Sequence, residues 1–207
     1  MARFSDDQIR RYSRQILLRE VGGRGQEKLQ AARPVLVCAG EVGQLAADYL
    51  WRAGITELTL LAATPELAAR LSDQLAAVGY PGRPARVLGV APEQVQLVAR
   101  AAPGFTLLWL AAEAAPEEAA LLWAGCRGAL GVVGQGEAAL RATVRRQGDP
   151  LDSPESGAGA MIIGSALALW AVQRLLGIAV AVDDPPQRPG AIWELELDRP
   201  TLPSWRP

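Results

Sequence analysis

Four consecutive apolar residues, Val35-Leu-Val-Cys38, run into Ala39-Gly-Glu-Val-Gly43 and then into a stretch of helical character, Gln44 to Trp51. A short apolar run bounded by a glycine turn fits a strand buried on both faces, and a helix directly after it makes the opening of a crossover unit. The pattern repeats. Leu58 to Leu61 reads as a second strand, Leu67 to Val78 as a helix, Arg86 to Val90 as a third strand, Gln94 to Ala101 as a helix and Thr106 to Leu110 as a fourth strand. Pro116 suits the first turn of a helix running to about Cys126, and Ala129 to Val133 makes a fifth strand. Such alternation predicts an α/β fold, a mostly parallel sheet flanked by helices and joined by right-handed crossovers.

The flanks follow other periods. Asp6 to Leu18 places Ile9, Tyr12 and Ile16 at helical spacing behind a cap at Ser5 or Asp6, and Gly25 to Ala32 makes a second short helix. Beyond the alternating part, Ala138 to Arg146 reads as a strand, Ala160 to Leu176 as a long helix and Ala191 to Leu197 as a terminal strand. A chain of 207 residues suits one such domain. Its parts are an N-terminal helical arm (1–33), a core (34–135) and a hairpin, late helix and terminal strand (136–207).

Composition removes whole classes of chemistry. Histidine is absent, so Ser-His and Cys-His nucleophiles and a histidine base near neutral pH are excluded. Cys38 and Cys126 are the only cysteines, too few for a four-ligand zinc site or a disulfide framework, and no metal-ligand set is assigned. The net charge of −1 gives no general pull toward nucleic acid or an anionic membrane. The first 34 residues nevertheless carry eight Arg/Lys against four Asp/Glu, a basic arm suited to phosphates, to an acidic partner or simply to water. The polar start from Met1 to Arg14 lacks a secretory pattern, and Gly157 to Val182 is broken by Gln173 and Arg174; the expectation is a cytoplasmic protein without a membrane span.

The glycine turn is the first candidate site. A dinucleotide-type G-x-G-x-x-G uses one glycine for the turn, one to let phosphate approach and one for helix–strand packing, with helix N–H groups attracting the anion. Here Cys38 takes the first place, and Gly40 and Gly43 take the second and third. Glu41 puts a carboxylate where a phosphate would lie, or else complements the dipole of its own helix.

Arg11-Tyr-Ser-Arg-Gln-Ile-Leu-Leu18, Gly25-Gln-Glu-Lys-Leu29 and the turn that follows together resemble the opening of the ThiF/MoeB/HesA family, the bacterial relatives of ubiquitin-activating enzymes. Gly157 to Gly177 is similar to the family's late helix, and Gly128 to Val144 to its strand–turn–strand. The resemblance implies a Rossmann-like adenylyltransferase scaffold, reduced and divergent, acting on the C-terminus of a ubiquitin-like sulfur carrier. It implies that Arg14, the second arginine of RYSRQ, reaches into the ATP phosphates of a partner subunit. A packing role beside Gln15 is the alternative.

Other positions depart from the family. After the second strand its acidic and cationic residues are replaced by Ala62-Ala-Thr-Pro65, and the sole lysine, Lys28, lies in the arm. Alignment at the fourth strand puts Glu113 at the family's metal- and nucleotide-binding aspartate and Ala114 at its asparagine. Where relatives often carry a zinc-binding CxxC pair, this chain reads Arg146 to Pro154 without cysteine. The resemblance thus implies weak or absent ATP binding through Gly40, Gly43 and Glu113, and no zinc. The reading that follows is a catalytically weak or inactive homologue, in a homodimer or in a heterodimer with an active paralogue, or bound to a ubiquitin-like sulfur carrier. An active ATP-dependent adenylyltransferase and a module binding another nucleotide are the alternatives.

Overall fold

The computed structural model describes residues 4–38, 40–62, 65–77, 86–88, 104–110, 120–127, 130–147, 157–178, 192–196 and 204–206. In chain order the helices are α1 (Asp6–Ile16), α2 (Gly22–Ala31), α3 (Glu41–Ala53), α4 (Pro65–Ala77), α5 (Glu137–Gln147) and α6 (Gly157–Leu176). The strands are β1 (Val35–Cys38), β2 (Thr59–Ala62), β3 (Arg86–Leu88), β4 (Thr106–Leu110), β5 (Ala120–Arg127), β6 (Leu130–Gln135), β7 (Ile192–Glu196) and β8 (Ser204–Arg206). They form one sheet in the order β3-β2-β1-β4-β5-β6-β7-β8.

Local chemistry explains where the first helices begin and end. Ser5 caps α1 in a capping box, its hydroxyl accepting from the Gln8 N–H at 3.2 Å while its own N–H donates to Gln8 Oε1 at 2.9 Å. α3 stops at Gly54, whose φ of +104° is left-handed and whose N–H bonds back into the last turn.

The expected α/β class holds, with helices on both faces, but the sheet is mixed rather than mostly parallel. Only β1–β2 and β2–β3 are parallel; the five other pairs are antiparallel. The difference starts at β4, which lies antiparallel to β1, and continues at residues 120–127, expected to end a helix and found as β5. Leu122, Ala124 and Cys126 join the core on one face, Leu121 and Trp123 the core on the other. A continuous apolar run fits a doubly buried strand as well as a buried helix, and periodicity alone does not separate them. Two residues then separate β5 from β6, and parallel strands need a connection of about a dozen residues. The pair must be a hairpin.

The second exchange is the reverse. Residues 138–146, expected as a strand, belong to α5. Gly136, with φ +85°, turns the chain out of β6, the Glu137–Arg141 ion pair spans i to i+4, and Leu140 and Thr143 fall on one buried side. The helix expected over 94–101 lies outside the described residues.

Two cores result. The larger lies where α3, α4 and α6 cover one face, around Leu36, Leu50, Trp51, Leu108 and Leu167; the smaller lies under α5, around Leu107, Trp123, Val132 and Leu140. Trp123 meets Phe105 edge-on with centroids 5.6 Å apart, donates from Nε1 to the Gly136 carbonyl at 3.1 Å, and fills the space that a side chain on Gly134 would need. α6 has the length and composition of a membrane span, but 56% of its apolar window is buried inside the protein, as in the core helix expected from sequence. It crosses α3 so closely that a Cβ on Gly164 would stand 2.7 Å from the Val42 carbonyl oxygen and 2.9 Å from Leu45 Cβ.

Candidate functional site

Cys38 and Ala62 end their parallel strands side by side in register, and the glycine turn rises from that edge. Gly40 is the N-cap of α3, its backbone extended, with no side-chain hydrogen bond covering the helix's leading N–H groups. Its carbonyl accepts from the Gln44 N–H at 3.2 Å, and a Cβ placed on it would meet nothing within 4 Å. A free helix N-terminus of this kind attracts anions. Gly43 has a different role: a Cβ there would lie 2.9 Å from Cys38 Cα and 3.1 Å from its Sγ. Its missing side chain lets α3 sit down on β1. The two glycines read from sequence therefore share one turn, one leaving space and the other closing the helix onto the strand.

Cys38, in the first glycine position, has no nucleophilic character. It is fully buried, and burial pushes its thiol up to about 12. In the native protein neither Cys38 nor Cys126, also buried, is expected to react with a thiol-directed disulfide reagent at pH 8, whereas both will titrate after unfolding in guanidinium. Rapid labelling of a native thiol would contradict this placement. The sign of the linkage follows: native Cys38 keeps a proton that the unfolded chain loses above its ordinary 9.0, so its contribution to stability is complete below pH 9 and disappears as pH rises toward 12.

ATP fits this edge only in part. Gly40 leaves open space at the turn, but Ala62 occupies the strand end where a ribose-binding acid would stand, and the next carboxylate, Glu66, lies exposed in the first turn of α4. Glu41 is exposed in the first turn of α3. β4, antiparallel to β1, ends at Leu110 beside the amino end of β1 rather than beside Cys38. Glu113 lies outside the described residues. Among the described residues no group of three or more Cys, Asp or Glu side chains is placed to hold a metal ion.

The arm docks at the opposite end of α3. Gln15 Nε2 donates to the Arg52 carbonyl at 3.4 Å, and buried Gln26 donates to the Ala53 carbonyl at 3.0 Å. Tyr12 and Gln26 pack so tightly on Gly54 that no side chain fits there. Tyr12, Gln15 and Gln26 are thus a clasp, a role the sequence reading did not assign although all three belong to the motifs it quoted. Arg14 points away from the clasp, exposed and without a hydrogen bond or ion pair among the described residues. The 13 residues of α3 set it ~20 Å from the glycine turn at 1.5 Å per residue. Arg14 does not serve the turn of its own chain.

Known proteins resemble the chain in sequence over its first part and in fold over most of its length. The model of the ThiF family matches residues 12–61. The molybdopterin-synthase adenylyltransferase of Salmonella typhimurium is 48% identical over 61 residues, 30% of this chain and 24% of that protein. The adenylyltransferase and sulfurtransferase MOCS3 of Mus musculus is 48% identical over 60 residues, 29% of this chain and 13% of that protein. The SAMP-activating enzyme E1 of Haloferax volcanii is 44% identical over 54 residues, 26% and 20% of the two chains. The matched stretch therefore spans a quarter or less of these relatives' length. In fold the likeness is broader: a crystal structure of E. coli MccB with succinimide superposes with a TM-score of 0.59 over 95% of this chain and 71% of the other, at 12% identity.

Proposed function

We propose that this chain, a ThiF-family homologue through residues 12–61, is a catalytically weak or inactive member that completes an adenylating assembly instead of adenylating on its own. Its partner is a second copy or an active paralogue, and the protein that assembly acts on is a ubiquitin-like sulfur carrier. The named relatives are adenylyltransferases and a SAMP-activating enzyme, which supports the class of reaction.

One observation carries the reading: the arginine suited to another subunit's phosphates is held outward and has no partner among the described residues, while the chain's own strand edge offers Ala62 in place of a ribose-binding acid. Arginine suits the trans role because its planar fork binds phosphate oxygens in pairs. Exposed Tyr49, Met161, Ile162 and Leu169 on α3 and α6 supply an apolar face for assembly.

The open Gly40 favours a second reading, an adenylyltransferase with a rearranged pocket. ATP–pyrophosphate exchange decides between them. The isolated chain is expected to show no exchange above background with a Gly-Gly-ending carrier, since each lost charge-assisted contact removes ~1.5–3 kcal/mol and three are missing. Robust exchange, or ATP–Mg²⁺ binding in calorimetry tighter than ~10 μM, establishes the second reading instead.

A further inference from the structure

We infer that Gln26 and Gln15 are positioning residues: by occupying open carbonyls at the end of α3 they aim Arg14 at the other subunit's phosphates, an assignment that rests on the trans role proposed above. A helix leaves its last four carbonyls without intrahelical donors. In α3 these belong to Leu50, Trp51, Arg52 and Ala53. The chain just after the helix supplies two donors, the Ile55 N–H to Leu50 at 3.2 Å and the Gly54 N–H to Trp51 at 3.0 Å. The arm supplies the other two, Gln15 Nε2 to Arg52 at 3.4 Å and Gln26 Nε2 to Ala53 at 3.0 Å. All four carbonyls are matched, and the last two matches fasten α1 and α2 to α3.

Gln26 is present for its amide rather than for its bulk. It is fully buried, yet its Oε1 has no hydrogen-bond partner. A leucine would fill that volume without leaving a buried acceptor unpaired, which is costly; only a donor answers the Ala53 carbonyl. Two contacts hold the amide in place. Tyr12 packs on Gly54, its ring carbons 3.2 Å from where a Cβ would stand, and α2 presses on α6, where a Cβ on Gly25 would lie 3.1 Å from Leu176 Cδ2.

Arg14 sits between these fixed points. It precedes Gln15 and follows Tyr12 by two residues, so with both of them held against the end of α3 its own side chain leaves the helix on the other side, exposed. A guanidinium acts on a transferring phosphate only from the right place, and a misplacement of ~1 Å caused far from the chemistry can cost ~10²-fold. Loss of the Gln26 donor frees α1 to shift on α3 and spoils that aim without touching Arg14.

Pyrophosphate exchange is measured on complexes of an intact ThiF-family partner with each form of this chain. Gln26→Met, of similar length but without a donor, is expected to lower the rate ~10²-fold, and Gln15→Met to lower it by less. In a chain that already carries Arg14→Ala, Gln26→Met is expected to cost nothing more, because no guanidinium is left to aim; a residue that only supported the fold would cost the same in both backgrounds. A second readout needs no catalysis. Cys38 and Cys126 are buried, so nitroxides on the isolated chain attach at Arg14→Cys and at Ser72→Cys, an exposed position on α4, and the distance distribution between them is expected to shift or broaden when Gln26→Met is added. If Gln26→Met does not fold, Gln15→Met carries both readouts. Undiminished exchange, equal losses with and without Arg14, or an unchanged distance distribution overturns the inference alone. No loss from Arg14→Ala itself overturns the proposed trans role, and the inference with it.

Discussion

Arg14→Ala is expected to leave the fold and the assembled complex intact while lowering the complex's adenylation rate by ~10³-fold or more, the scale of an arginine acting in trans on a transferring phosphate. That loss corresponds to ~4 kcal/mol of transition-state stabilisation. Arg14 is an exposed side chain in the last turn of α1 with no partner among the described residues, so its removal should cost stability no more than ~0.5 kcal/mol. The docking of α1 rests on Tyr12, Gln15 and Gln26, none of which the substitution touches. Arg14→Lys should restore little, because an ammonium lacks the planar fork. Pyrophosphate exchange is measured on complexes reconstituted from an intact ThiF-family partner and each form of this chain. Equal rates for wild type and both variants would mean that Arg14 is a surface helix residue and no more.

Gly164→Ala will destabilise the protein by ~1–3 kcal/mol, the usual penalty for forcing an extra group into a packed core. The added Cβ would lie 2.7 Å from the Val42 carbonyl oxygen, 2.9 Å from Leu45 Cβ and 3.3 Å from the Ala46 nitrogen. Two of these three are backbone atoms of α3, which no rotamer change can move aside. The helices must separate, and the apolar contacts of Ala46, Ile163 and Leu167 in the larger core loosen with them. Since Val42 follows Glu41 at the head of α3, the separation also displaces the glycine turn. At about 2–4 °C per kcal/mol for a chain of this size, melting should fall by several degrees. Gly157→Ala, at the first position of the same helix and with nothing within 4 Å of its would-be Cβ, provides the contrast. It should be neutral or slightly stabilising, because alanine is the better helix former. Equal melting temperatures for the two variants would show that α3 and α6 are not in contact at Gly164.

What the sequence determined by itself is local. β1, its glycine turn and α3 follow one another directly, so the run of apolar residues, the glycine spacing and the helical stretch were all visible in 35–51, and α1, α6 and β7 announced themselves by their own periods. The absence of histidine and the alanine at position 62 were equally plain. Tertiary structure decided what local pattern leaves degenerate. Leu121 to Cys126 is apolar on every side and became a strand because both faces of the sheet had room to bury it. Ala138 to Arg146 became a helix once Gly136 had turned the chain away from that sheet. The sheet is mixed because β4 enters antiparallel to β1, and the two-residue link between β5 and β6 continues the antiparallel half. Gly134 and Gly164 gave no local sign of their importance, because what forbids a side chain there is Trp123 in one case and α3 in the other. Arg14 was legible as a motif residue, but its outward direction was not. That depended on Gln15 and Gln26 reaching carbonyls at the end of α3, 37 and 27 residues along the chain, and a contact at such separation exists only once the chain has folded.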